Sequence, residues 1–361
     1  MRWIVVLSIA GCSFAPSSSS ATSDGGGSSD PSHDAAGPSF RKQITLAVNS
    51  PSELREFPVS IVTRDPDLAQ KAQADGSDIA FTAVDGTPLA YELVSFDKAS
   101  GDLEAWVRIP SVTATTQIEL AYGGGSIASA GTVWSPAIYA AAWHFAETSG
   151  AWMDSAAGHR VTPPSPASTA AVVPGITGSA RQFDGVDDAT QADPAETGLD
   201  FGMTSFSVQA WVDVAQSADP YDMVIDKGGD TEKPGYCFTL GTGNWYAEVG
   251  DDNYIAASFG SEAAQLGHWT QLTAVIDRTA NNLIAYTNGA VISSLPFGSI
   301  GSVDGTTPLA IGSMQSQYRF KGIVDEVRVL KVALTADWIA AEYRNATQRS
   351  QFVTFGPQQA H

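Results

Sequence analysis

The chain has 361 residues, with 39 Asp and Glu against 19 Lys and Arg and a formal charge of −20 at pH 7. This balance excludes nucleic acid as a partner, because a phosphate backbone requires basic patches. The two cysteines exclude a disulfide framework, and the length accommodates two or three domains.

In chain order, residues 1–12 ("MRWIVVLSIAGC") supply Arg2, an apolar run from Trp3 to Ala10, and Cys12. The run is too short to span a bilayer, so it reads as a processed signal. "IAGC" resembles a bacterial lipobox, which implies lipid on Cys12 and an anchored, extracytoplasmic protein, with Ser13 pointing to the outer membrane. Residues 13–39 are Ser, Gly, Ala, Pro and Asp with almost no apolar surface to bury, the composition of a flexible tether.

Residues 40–132 contain the short apolar runs "QITLAV", "FPVSIV", "DIAFTAV", "PLAYELVSF", "LEAWVRIP" and "TQIELAYG", separated by turns such as "ADGSD" and "KASGD". They predict a small β-sandwich. In "DLEAWVRIP" the alternation puts Leu103, Ala105, Val107 and Ile109 on one face. Trp106 is left facing outward or toward a neighbour.

Residues 133–361 form the second predicted unit, also all-β, with one short helix near its end. In "SFSVQAWV" Phe206, Val208, Ala210 and Val212 share one face of a strand, and Ser207, Gln209, Trp211 and Asp213 the other. Thr335 is placed to cap a helix from Ala336 to Arg344, with Trp338, Ile339, Ala341 and Tyr343 to pack it. Both units are acidic, with 7 basic and 12 acidic residues in the first and 11 and 24 in the second.

The stretch "ARQFDGVDD" followed by "FSVQAWV" resembles the laminin-G-like (concanavalin-A-like) jelly-roll family. "VIDKGG", "GHWTQLTAVID", "YTNGA", "LAIGS" and "FKGIVDEVRVLKVALTADWIAAEY" follow in that family's order. The first unit, through "DGSDIAFTAVDGTPLAYELVSFD", "AWVRIP" and "IELAYGG", is similar to a bacterial envelope domain of unknown function. That domain is seen beside such jelly rolls and in some MotA/TolQ/ExbB-class proteins. The resemblance implies a small N-terminal β-sandwich plus a C-terminal jelly roll. It also implies a surface lipoprotein that recognises a glycan or protein ligand. A scaffolding module of the envelope, attached to a proton-channel assembly, is the alternative, and a polysaccharide-degrading enzyme a third.

No Gly-x-Ser-x-Gly, His-Glu-x-x-His or Cys–His pattern is present, and the adjacent acids Asp187–Asp188, Asp251–Asp252 and Asp325–Glu326 project to opposite faces of a strand, so no catalytic residue is expected. The resemblance implies a calcium ion, with Asp184, Asp187 and Asp325 as candidate ligands. Turn hydrogen bonds by Asp184 and a strand-end role for Asp325 are the competing reading. For a glycan, "GTGNWYAEVGDDNY" offers Asn244, Tyr246, Asp251, Asn253 and Tyr254, while Trp245 shares its face with Ala247 and Val249 and reads as core. Cys237 reads as a small buried hydrophobe.

Overall fold

The computed structural model describes residues 37–164, 167–215, 221–229, 233–251, 253–314 and 317–360. The predicted signal, Cys12 and most of the tether lie outside these residues, as does Asp252.

The six strands expected in the first unit are present: Phe40–Leu46, Leu54–Arg64, Ala80–Ala83, Ala90–Asp97, Asp102–Val112 and Thr116–Tyr122. They fold as two facing sheets. One has the order Leu54–Arg64, Asp102–Val112, Ala90–Asp97. The other runs Val353–Ala360, Phe40–Leu46, Thr116–Tyr122, Ala80–Ala83. Ile44, Leu46, Phe57, Val59, Ile61, Leu103, Val107 and Leu120 fill the space between them, each almost without exposure. A helix not expected from the sequence, Pro66–Lys71, is capped by Asp65, whose carboxylate accepts from the Asp67 N–H.

The last strand of the four-stranded sheet corrects the sequence boundary. Residues 353–360 were grouped with the second unit. They pair antiparallel with Phe40–Leu46, Phe40 opposite Ala360 and Leu46 opposite Val353. Without this strand Phe40–Leu46 would be an open edge, with a row of unpaired N–H and C=O groups.

The second unit is a jelly roll of two eight-stranded sheets. In the first of them Phe206–Val214 lies centrally between Trp269–Asp277 and Lys321–Leu330. The opposing sheet carries Asn244–Gly250, Gly235–Gly241 and Met223–Asp226 side by side. Phe206, Val208, Ala210 and Val212 face this second sheet as the alternation predicted, and join a core that includes Trp143, Phe183, Phe238 and Trp245.

The opposite face of Phe206–Val214 is buried as well. The helix Ala336–Thr347, begun where Thr335 Oγ1 accepts from the Trp338 N–H, lies against it. Trp211 stacks on Tyr343 with centroids 5.8 Å apart, and Gln209 donates to Glu342. The other side of the same helix meets the first sandwich. Trp338 packs edge-on to Phe57, and Asn345 exchanges two hydrogen bonds with the backbone of Ser60, as a strand neighbour would. The described residues therefore belong to one compact body.

Between the two sandwiches a continuous apolar cluster, with Phe57, Tyr139, Leu330 and Trp338 among its members, also encloses a charged group. Arg328 lies over Trp106 and Trp134, with its guanidinium 2.7 Å from Glu326 and 3.0 Å from Glu342. His144 lies against both tryptophans, with centroids 5.9 Å and 4.8 Å away, and bonds Glu326 at 2.8 Å. The neighbour left open for Trp106 by the strand pattern is thus the jelly roll.

Candidate functional site

The acidic turn grows directly out of a core strand. Phe183, buried, is the last core residue of the strand Ser179–Asp184, and Gly185 turns the chain at φ +77°, a conformation side chains disfavour. Asp184 Oδ1 accepts from the Val186 N–H at 2.7 Å and the Asp187 N–H at 3.3 Å, and Asp188 Oδ2 accepts from the Asp184 N–H. The turn hydrogen bonds of the competing reading are therefore real, and they gather the carboxylates. One oxygen from each of Asp184, Asp187 and Asp188 lies within 4.8 Å of the others.

The acids differ in environment. The Val186 N–H bond outweighs partial burial and holds Asp184 below the usual carboxylate range. Asp188 is raised by burial and by the neighbouring charges of Asp184 and Asp187. Three acids this close repel one another, and a hard cation relieves that repulsion. The donor set fits calcium in its chemistry, with two exposed carboxylates and one buried.

Asp325, named from the sequence as the third ligand, is elsewhere. Asp184 pairs with Lys321, four residues from Asp325, roughly 13 Å along the strand. Asp325 is fully buried and accepts hydrogen bonds from the Thr177 and Glu326 N–H groups. Burial, then the charge of Glu326, pushes its carboxyl well above the ordinary range. A Cβ on Gly175 would sit 2.3 Å from its Oδ2, so the loop closes tightly over it. Its work is to pin residues 175–177. The residue that takes its place in the acid group is Asp188, whose position after the turn in "FDGVDD" carried the signal.

An open groove of about 610 Å³ lies beside the turn, lined among others by Gln182, Asp184, Asp213, Leu266, Gly267 and Lys321. Burial raises the Asp213 carboxyl, and His268 opposes this. The groove offers donors and acceptors of both charges at one end of the jelly roll.

The residues chosen for a glycan do not converge. Asn244 and Gly250 bound one strand, so Asn244 is about 20 Å from Asn253 and Tyr254 along the sheet. Asp251 is committed to its turn, accepting from the Asn253 and Gly301 N–H groups. Tyr246 is half-buried, and Tyr254 is exposed at a separate cleft. Trp245 is in the core and Cys237 is buried, its Sγ 4.0 Å from Glu248 Oε2.

Residues 184–340 match the Concanavalin A-like lectin/glucanases superfamily. The match falls within the jelly roll, which is similar to that superfamily. Residues 75–155 match a domain of unknown function (DUF2341), and this match runs past the first sandwich into the first strand of the jelly roll, Tyr139–Trp143. No curated protein matches the chain.

Among solved structures, the chain is similar to the binding domain of Paraclostridial Mosquitocidal Protein 1, at 13% identity and TM-score 0.48, over 58% of this chain and 52% of that one. It is similar also to the receptor binding domain of botulinum neurotoxin mosaic serotype C/D, at 14% identity and TM-score 0.47, over 58% and 51%. The botulinum neurotoxin serotype G binding domain gives 13% identity and TM-score 0.46, over 57% and 50%. The chain spans about half the length of these structures.

Proposed function

We propose that the jelly roll is a non-catalytic recognition module that binds a glycan or protein ligand in the groove beside the acidic turn. In this reading calcium held by Asp184, Asp187 and Asp188 shapes the groove's end. The observation that carries the proposal is the adjacency of the two: Asp184 both belongs to the acid group and lines the groove. Calcium accepts six to eight oxygens in flexible geometry, so backbone carbonyls, water and ligand hydroxyls complete its shell. The sequence of residues 1–39 supports presentation at a bacterial cell surface through lipid on Cys12.

A glycan array probed with the chain, with and without chelator, tests the reading. Binding that is lost on chelation supports it, and turnover of any polysaccharide overturns its non-catalytic part. In parallel, calcium at a hundredfold excess over Kd should stabilise the fold by about 2.7 kcal/mol. Asp184→Ala and Asp188→Ala should abolish that response in a thermal melt. Asp325→Ala should lower the melting temperature and leave the calcium response intact. A melt indifferent to calcium and chelator removes the metal from the proposal.

A further inference from the structure

A second concavity of about 310 Å³ is walled by Tyr221, Tyr254, Tyr318, Met314, Thr239 and Glu248, together with parts of the adjoining strands. Tyr221, Tyr254 and Tyr318 are 49%, 43% and 38% exposed, so three large aromatic rings keep much of their surface in water around one cleft. Exposed apolar surface gathered in this way marks a binding surface more often than scattered residues do.

The arrangement of the rings is specific. Tyr221 and Tyr318 meet edge-to-face at 71° with centroids 5.8 Å apart, an angled pair and not a flat platform. Tyr318 is fixed there by its backbone. It holds φ +45°, unusual for a residue with a side chain, and its carbonyl accepts from the Met223 N–H at 3.0 Å. The far wall follows from strand alternation. Trp245, Ala247 and Val249 enter the core, so Tyr246 and Glu248 emerge on the other face. Glu248 is the one charged side chain among the described lining residues.

A pyranose ring stacks flat on an aromatic face and needs several hydrogen-bonding partners for its hydroxyls. Perpendicular tyrosines, a methionine sulfur and a single carboxylate match a different chemistry. Ring faces attract a cation whose charge is spread over methyl groups, the thioether is soft and polarisable, and the carboxylate supplies the counter-charge. The chain's charge of −20 adds long-range attraction for such a ligand. We infer that this cleft binds a small organic cation bearing a quaternary or methylated ammonium group. The cleft shares no lining residue with the groove beside the acidic turn.

Calorimetric titration of the full chain with choline, alongside its neutral carbon analogue 3,3-dimethylbutan-1-ol, tests this. Choline should bind about tenfold more tightly than the analogue. Glu248→Gln should weaken choline severalfold, Tyr221→Phe should retain it, and Tyr221→Leu should lose it. Tyr254→Leu, at an exposed ring, should weaken binding with an unchanged melting curve, which separates loss of the site from loss of the fold. Capture by phosphatidylcholine vesicles that free choline reverses assigns the ammonium to a lipid headgroup, and binding of free choline alone assigns it to a soluble ligand. Equal affinity for the neutral analogue, competition by neutral monosaccharides, or no heat with choline overturns the inference. So does a choline affinity that falls with chelator or with Asp184→Ala, because the ligand would then lie at the acidic turn.

Discussion

His144 is 7% exposed, packed against two tryptophans and one carboxylate, and its protonation is part of the joint between the sandwiches. Burial alone would lower its pKa, but the charge and hydrogen bond of Glu326 outweigh burial and raise it above the ordinary 6.5. Glu92 adds to the rise, and Arg328 opposes it. The folded protein therefore binds a proton more tightly here than the unfolded chain does. Its contribution to stability is complete below pH 6.5 and is lost as pH rises through the folded-state value. Urea midpoints measured upward from pH 6 should show this decline, and His144→Gln should flatten it. An unchanged slope in the variant would assign the pH dependence elsewhere. Little of this was legible beforehand. "AAWHF" marks a strand with two buried aromatics, but the partners of His144 lie at Trp106, Trp134 and Glu326, which only the completed fold assembles. The acidic turn was legible because its residues are local: Phe183, Gly185 and the three aspartates fall within six positions. Asp325 is on the strand next to Asp184, as the family's topology implies, but the register puts Lys321 opposite Asp184 and leaves Asp325 four residues further along.

The helix Ala336–Thr347 is the element most fully anticipated, including its cap at Thr335 and its buried Trp338, Ile339 and Ala341. The capping signal and 3.6-residue periodicity are local, so the sequence displays them directly. Thr335→Ala should cost about 1 kcal/mol, read as a shifted urea midpoint with unchanged slope. A shift in slope as well would mean that the helix detaches before the rest unfolds. What the pattern could not display is that this helix covers the polar face of Phe206–Val214. Ser207, Gln209 and Trp211 alternate as if facing water, yet Ser207 bonds the Val332 carbonyl, Gln209 bonds Glu342 and Trp211 meets Tyr343. A covering element more than a hundred residues later turns an outward face into an interface without altering the alternation.

Across the folded body the two sandwiches are not separable. A fragment of residues 138–361 would leave Val353–Ala360 without its partner strand, Trp338 without Phe57, and Arg328 without Trp106. It should aggregate or melt well below the full chain. Residues 37–361 should give one calorimetric transition whose van't Hoff and calorimetric enthalpies agree. A fragment that is monomeric and melts like the parent would show that the joint is dispensable. The strands of both sandwiches were readable from alternation and turns. Their mutual dependence was not, because nothing in "FVTFGPQQA" distinguishes a strand of one sheet from a strand of the other.

The pairing of Val353–Ala360 with Phe40–Leu46 also bears on how the protein is made. Synthesis and any export deliver the chain from its amino end, so Phe40–Leu46 is complete some three hundred residues before its neighbour exists. Until then the first sandwich waits with an unpaired edge, while long-range closure of this kind is intrinsically slow. The four-stranded sheet of the first domain can therefore be completed only after the last strand has left the ribosome.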